Sequence, residues 1–491
     1  MTASRIRVNT PEISVVLRKI ARNQSQKSSR FQRDQEPFDL TPYLTEESSV
    51  SISRGINQPS GTFQITMSDR DVMHGRTRDS MYGIAEPMDV IEIRMARDAY
   101  EYNDASLYPE LGDIKLPLVF RGLVSEVRRD ESVGGDGKPR RVVSISGHDW
   151  GKFLQIMQCK FIKGNPLQQN WLANMIQIHF GIEYKIIKAG DLVTDLTKKF
   201  VNEALSRYNS PGIIVPFEVD VSGADPRDFV MPQGFGIFQG TLWEFYHVFG
   251  DLGPYYEMFI DDGEKFPKLI YRKPPYITAG GVSINPVSPV GKIVNVAPET
   301  VQRISVSRTD SNVANWFWVD HHRTALIQGF DQKMFAQADN AFNSFVDTPN
   351  SAKEIYGIKT MEVTSNHGFL SQGADAKTLQ VDSIGFNTYV RQKIAQLQSA
   401  NQDNVVFEQG SLTLAGNEKI KVGQMLSVAR GRNINQYYAQ SVTHSFLPFR
   451  SFTTSVNFIR GTGFINRSTN EANQVWAPYL EDIGRSPYEG E

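Results

Sequence analysis

Cysteine occurs once in the 491 residues, at Cys159. That excludes an internal disulfide framework and fits a reducing site of synthesis. A thiol becomes a nucleophile beside a base or a cation that favours its thiolate. Here Gln158 and Lys160 bring no histidine, so Cys159 reads as a structural thiol. Long apolar runs are missing as well. No window approaches the ~18 apolar residues of a membrane span. The charged N-terminus (Arg5, Arg7, Arg18, Lys19, Arg22) is not followed by the apolar stretch of a signal peptide. The sequence therefore predicts a soluble chain, made in the cytoplasm and without stable membrane insertion. An excess of charge is also lacking: 52 Lys+Arg face 54 Asp+Glu, a formal net charge of −2. Without a broad positive field, sequence-specific nucleic-acid binding is not expected. A passage through which DNA slides remains compatible, because it must not grip phosphates.

Catalytic signatures are equally scarce. There is no Gly-x-Ser-x-Gly elbow. A glycosidase needs two carboxylates across a cleft, and Glu244, Asp261 and Asp262 are the candidates. Glu244 is better explained by capping a helix, and the Asp pair by a turn. Gly134-Gly135-Asp136-Gly137-Lys138-Pro139 has the glycines of a phosphate loop but not its Gly-Lys-Ser/Thr ending or its helix. His321-His322 lie next to each other, and adjacent strand residues point to opposite faces, so the pair does not chelate one ion. His148-Asp149 has the residue types of a base and its orienter, yet ends a strand where hydrogen-bonded turn residues are common. Trp316-Phe317-Trp318 reads as core or interface packing rather than a sugar or base platform. No catalytic, cofactor-binding or metal-ligating residue is assigned, and no cofactor is expected.

What the chain does contain is strand pattern. Hydrophobic residues make up 40% and charged residues 22%, as in ordinary globular proteins, and the length suggests about three domains. Residues 1–49 read as an N-terminal segment or arm, polar from 21 onward. Over 50–150, Phe63, Ile65 and Met67, then Ile91, Ile93 and Met95, alternate with polar neighbours, which buries one face. Strands around 118–127 and 141–146 flank the glycine cluster as a hairpin. Residues 151–295 change character. Asn165-Pro166 followed by Leu167, Trp171, Met175 and Ile178 predicts a helix stopped at Gly181. Thr241 and Glu244 form a capping-box pair ahead of Leu242, Phe245 and Phe249. Lys273 to Pro298 reads as a linker or long loop. Strands return over 296–465, with an inserted helix carrying Phe386, Val390, Ile394 and Leu397. Leu412 and Leu414, Leu426 and Val428, and Val456 and Phe458 then alternate with polar residues. Residues 466–491 read as an extended tail. The fold class expected is mainly β, two β units flanking an α+β region.

Four stretches recur in a particular order. Ser60-Gly61-Thr62-Phe63-Gln64-Ile65 leads to Pro87-Met88-Asp89-Val90-Ile91. Val119-Phe120-Arg121-Gly122-Leu123-Val124 is followed by Val143-Ser144-Ile145-Ser146-Gly147-His148-Asp149. Leu242-Trp243-Glu244-Phe245 precedes Met258-Phe259-Ile260-Asp261-Asp262-Gly263 and Tyr271-Arg272-Lys273-Pro274-Pro275. Gly410-Ser411-Leu412-Thr413-Leu414 precedes Lys421-Val422-Gly423-Gln424-Met425-Leu426, Val442-Thr443-His444-Ser445-Phe446 and Phe458-Ile459-Arg460-Gly461. Taken together, from about residue 50 to 461, they resemble the central hub proteins of contractile phage tail baseplates, the adaptors between tail tube and spike. The resemblance implies that the two β units are tube-protein-like β-barrels and that the chain forms a homotrimer. Six barrels would then meet the six-fold tail tube or a tube-initiator protein, and a trimeric central spike protein would sit on the other face. Tape measure and baseplate wedge proteins would be further contacts, in a virion tail baseplate assembled in the host cytoplasm. It also implies a structural, non-enzymatic role in genome ejection. Members with a lysozyme or peptidase domain carry extra sequence for which the residues after 461 leave no room. The alternatives are a tail-associated cell-wall hydrolase and a carbohydrate- or receptor-binding tail protein.

Overall fold

The computed structural model describes residues 10–20, 37–74, 77–102, 116–133, 135, 137, 139–159, 187–208, 212–230, 238–321, 343–346, 348–368, 383–430 and 433–470. The first β unit comprises β1 (Glu12–Arg18), β2 (Ser49–Gly55), β3 (Thr62–Ser68), β4 (Val90–Ala96), β5 (Leu118–Val133) and β6 (Pro139–Asp149). They pair antiparallel in the order β2-β3-β6-β5-β4-β1. Their inward rows, including Val15, Ile52, Phe63, Ile65, Ile93, Phe120 and Ile145, form one apolar core. Here β1 corrects one sequence expectation. Residues 12–18 belong not to an arm but to the sheet, because Ile13, Val15 and Leu17 alternate into the core. The hairpin β5–β6 forms around the glycine cluster as its composition predicts.

In the centre, after short helices at Gly151–Ile156, Ala189–Asp195 and Asn202–Ser206, come helix α1 (Leu242–Phe249) and the hairpin β7 (Glu257–Asp262) and β8 (Pro267–Arg272). Thr241 Oγ1 accepts the Glu244 N–H at 3.1 Å, and the Glu244 carboxylate accepts the Thr241 N–H at 2.6 Å. This is the predicted capping box, which satisfies two orphan donors of the first turn. After β9 (Val301–Ser307) the chain leaves the second β unit for β10 (Trp316–His321), β11 (Thr360–Ser365) and helix α2 (Ser383–Asn401). The insertion packs on the centre. Phe317, Val319, Val363, Val390, Ile394 and Leu397 share one core with Trp150, Phe245, Phe249, Tyr256 and Leu269. The helix expected after Asn165 lies outside the described residues, as does His322.

The second unit is completed by β12 (Glu408–Ala415), β13 (Met425–Arg430), β14 (Asn433–Leu447) and β15 (Ser451–Gly461), in the order β9-β12-β15-β14. Val294–Val296 runs parallel to β13. A helix, Gly463–Asn470, extends into the stretch expected to be an extended tail, and the residues after it lie outside the described ones. Mainly β with an α+β centre is what the sequence predicts. The unforeseen feature is β14. Its first half pairs with β13, from Arg430↔Asn433 to Met425↔Tyr438. Beyond the irregularity at Ala439/Ser441, its second half pairs with β2, from Ser441↔Gly55 to Phe446↔Val50. The two β units therefore share one thirteen-stranded sheet. Phe446 and Phe452, at the far ends of β14 and β15, lie in the first unit's core.

Gly147 marks the tightest approach inside the first unit. A Cβ there would lie 2.0 Å from the carbonyl oxygen of Leu123, beside the irregularity at Val124/Glu126. Backbone cannot yield as a side chain does. Gly147→Ala is expected to lower unfolding stability by at least ~2 kcal/mol in denaturant titration, whereas Gly135→Ala, with nothing near its Cβ, leaves it within about 0.5 kcal/mol.

Candidate functional site: a charged hairpin and a buried ion cluster

The hairpin β7–β8 places Glu257 opposite Arg272 and Asp262 opposite Pro267. Successive strand residues face opposite sides, so Glu257, Phe259 and Asp261 turn one way and Met258, Ile260 and Asp262 the other. Toward the second β unit, Glu257 pairs with Arg272 at 2.7 Å and accepts the Tyr438 hydroxyl at 2.7 Å. Arg272 also donates to the Gly423 carbonyl at 2.6 Å, and Lys421 pairs with Asp261 at 2.8 Å. Phe259 sits in the second unit's core. Toward the first unit, Asp262 pairs with Arg54 and accepts the Arg121 N–H at 2.6 Å. Glu264, in the turn, pairs with Arg94 at 2.9 Å and accepts the Leu118 N–H at 2.8 Å. The Arg121 guanidinium donates to the carbonyls of Glu264 and Lys265 and pairs with Glu92 at 3.3 Å.

Burial and charge compete at this joint. Burial would lower Arg54, but Asp262 and Asp149 beside it hold its pKa above the ordinary value. Burial raises Glu257 despite Arg272 and Tyr438, and pushes Asp149 up to about 6 against the pull of Arg54. All of these groups are enclosed, so removing one partner would strand the other in low dielectric.

Deeper in the centre lies a second set. Asp228 Oδ2 accepts from Lys393 at 3.0 Å and from the Tyr256 hydroxyl at 2.6 Å, with Lys273 at 3.3 Å. Lys273 also pairs with Asp225 at 2.9 Å. The buried His367 ring points Nε2 to the Phe249 carbonyl at 3.0 Å and Nδ1 to Asp251 at 3.3 Å. Although burial opposes it, Lys393, Lys273 and His367 hold Asp228 well below the usual carboxylate range. Burial depresses Lys393, with Asp228 resisting, and burial likewise depresses His367 against the pull of Asp251. The cluster ties α2, the loop at Asp225–Asp228, the end of β8 and the strand after β11 into one piece. Ser365, Asp251 and His367 meet there, but Ser365 Oγ and His367 Nδ1 both face Asp251. The imidazole does not face the hydroxyl, so no nucleophile is activated.

The residues singled out by sequence are scattered. His148 Nδ1 meets Ser60 Oγ at 3.1 Å, whereas Asp149 accepts the N–H groups of Gly61 and Gly151 at 2.8 and 2.9 Å, so the two are no dyad. Glu244 caps α1. Asp262 differs from its turn reading: it is a strand-end ion-pair partner between units. Cys159 is buried and its thiol is pushed up to about 12 by burial and then Glu244. Phe317 is buried in the central core, and Trp316 and Trp318 are half-buried. Of the hairpin tip, residues 134, 136 and 138 lie outside the described ones. Among the described residues, no group of three or more His, Cys, Asp or Glu side chains is placed to hold a metal ion. Likewise no described helix is long and apolar enough to cross a membrane.

Sequence reading missed Asp228, Lys273, His367 and Lys393. One signal was present: Lys393 falls between Val390 and Leu397, on the apolar stripe of α2, where a charge needs a buried partner. A similar signal was misread in β4. Glu92 and Arg94 look like its solvent face, yet all seven residues of the strand are buried, with Glu264 of the hairpin pairing Arg94 and the neighbouring strands' Arg18 and Arg121 pairing Glu92.

No protein-family model matches the sequence, and comparison with curated proteins returns no match. Three solved structures align along most of the chain. A tail protein from Neisseria meningitidis is 8% identical, with 91% of this chain and 96% of that one covered and a TM-score of 0.48. The 43 kDa tail protein of prophage MuSo2 from Shewanella oneidensis is 9% identical, with 93% and 98% covered and a TM-score of 0.46. A prophage tail protein from Listeria monocytogenes is 9% identical, with 90% and 94% covered and a TM-score of 0.44.

Lys393→Met leaves Asp228 short of a buried partner and is expected to cost about 3–5 kcal/mol in chemical denaturation. The histidine gives a pH signature. Its folded pKa lies below the unfolded value, so the unfolded chain takes up the proton first and stability is lost as pH falls. The stability advantage of the natural chain over His367→Gln is expected to shrink below about pH 6.5, read from denaturation midpoints at pH 7.5 and 5.5. An advantage independent of pH would contradict a neutral buried imidazole.

Proposed function

We propose that this chain is a structural baseplate hub of a phage contractile tail. In this reading three copies form a ring that adapts the six-fold tail tube to a three-fold central spike and leaves a passage for DNA. It acts by geometry and not by catalysis. The observation that carries the reading is the continuity of the sheet through β14. Each copy presents two β units as one rigid piece, so three copies offer six β units in fixed relation. The resemblance of the four sequence stretches supports the same reading, and the charged residues support its non-catalytic side. Those that converge in the interior are bound to one another across element boundaries, which suits load transfer. An active site leaves its reacting groups open to a substrate.

The near-neutral charge fits a conduit, since phosphates sliding past are not held. A ring of identical subunits needs a heterologous contact that repeats about its axis. The purified chain is expected to scatter light as a trimer and to appear in negative-stain images as a ring with a central hole, binding tail tube and spike components. A solid or elongated particle, or clearing of peptidoglycan by the purified chain, would contradict the hub.

A further inference from the structure

Buried cations in this molecule have carboxylate partners, with one exception among the described residues. Lys19, Arg94, Arg121, Arg272, Lys273 and Lys393 each pair with an Asp or Glu. Arg460 does not. It is 9% exposed, and its guanidinium lies between two rings, 4.1 Å from the centre of Phe407 and 4.6 Å from that of Tyr276. Nη1 donates to the Ala400 carbonyl at 2.7 Å and Nη2 to the Ile277 carbonyl at 2.8 Å. A guanidinium has five N–H donors, and Nε has no partner among the described residues. Asp403, whose field favours the charged form, is taken up by Asn350 at 2.8 Å. Burial lowers the Arg460 pKa to about 10, which leaves the guanidinium charged at neutral pH.

The chain holds this arginine in place at a backbone cost. Between Gly410↔Phe458 and Glu408↔Gly461 the register shifts, so Ile459 and Arg460 of β15 face Gln409 alone on β12. Arg460 has a φ of 57°, in the left-handed region that favours glycine. Bulges re-aim side chains, and this one brings Arg460 to the wall of a cleft of about 380 Å³ between β11, the end of α2 and β15. Arg460 and Glu408 are the charged residues of its lining, and Ser311, Asn312, Thr360 and Asn404 bring hydroxyls and amides.

We propose that this cleft is a carboxylate site whose occupant is an acidic side chain on a partner polypeptide. One guanidinium matches one carboxylate in charge and in its two-pronged geometry. A phosphate, which carries more than one charge, meets Glu408 in place of a second cation. The volume falls among ligand pockets of ~300–1,000 Å³, more than a bare carboxylate fills. Hydroxyls and amides, which both donate and accept, suit the N–H and C=O groups of a peptide backbone. The site is independent of the ring reading.

Saturation-transfer NMR of the full chain with a capped pentapeptide bearing one central glutamate tests this. The peptide is expected to bind saturably, with contact strongest at the glutamate side chain, and acetate to compete with it. Exchanging that glutamate for glutamine should weaken binding about tenfold or more. Arg460→Gly, which suits the left-handed backbone, should weaken it as much. In case that variant folds poorly, Asn312→Asp sets a negative charge at an exposed position of the cleft. It should weaken binding likewise, with an unchanged thermal midpoint. Peptide binding that survives the glutamine exchange or Asn312→Asp overturns the site, as does inorganic phosphate displacing the peptide better than acetate. Acetate binding without peptide binding overturns the polypeptide occupant, and binding of neither overturns the whole proposal.

Discussion

A charge taken out of water must meet an opposite charge or hydrogen-bonding partners where it lands. In this molecule that requirement falls on the hairpin β7–β8, which carries charges on both faces between two apolar β units. Asp262 and Glu264 need Arg54 and Arg94 of the first unit. Glu257 and its partner Arg272 need the Tyr438 hydroxyl and the Gly423 carbonyl of the second. The placement observed satisfies both faces at once. Apolar contact alone is non-directional and would allow the units to slide. Such pairs add little net stability, yet a misplaced partner costs several kcal/mol. Here they fix position.

The shared strand β14 enforces the same placement by different means. Half of it belongs to each unit, so the ladder hydrogen bonds of both units run through one backbone. The bulge at Ala439/Ser441 lets the strand change neighbour from β13 to β2. The Asp228 cluster does for α2 and the insertion what the hairpin does for the β units. Covalently distant segments are joined where their chain connections would leave them loose. A body held at three such joints suits a part that transmits force and keeps its shape.

Much of this architecture was legible in the sequence because period-2 rows and capping chemistry are local. Phe63, Ile65 and Met67 announced their strand, and Thr241 with Glu244 announced their helix. The joints were not legible, because each depends on residues brought together from distant positions. Arg54 and Asp262 are 208 positions apart, and Asp228 and Lys393 are 165 apart. Glu92 and Arg94 show why pattern reading failed there: a strand with charges on alternate positions looks half-solvated until the covering element is known. Likewise, Ile13, Val15 and Leu17 alternate into the core, a row passed over when residues 1–49 are read as one N-terminal segment or arm.

The central claim is that charge matching and the shared strand make the β units and the hairpin a single cooperative body. Native-state hydrogen exchange at increasing denaturant tests it most directly. Amides of β3 in the first unit, β7 in the hairpin and β12 in the second unit are expected to converge on one opening free energy, with the same denaturant slope. If β12 opens at a lower free energy and smaller slope while β3 stays protected, the second unit unfolds on its own, and the joints described here do not bind the molecule together.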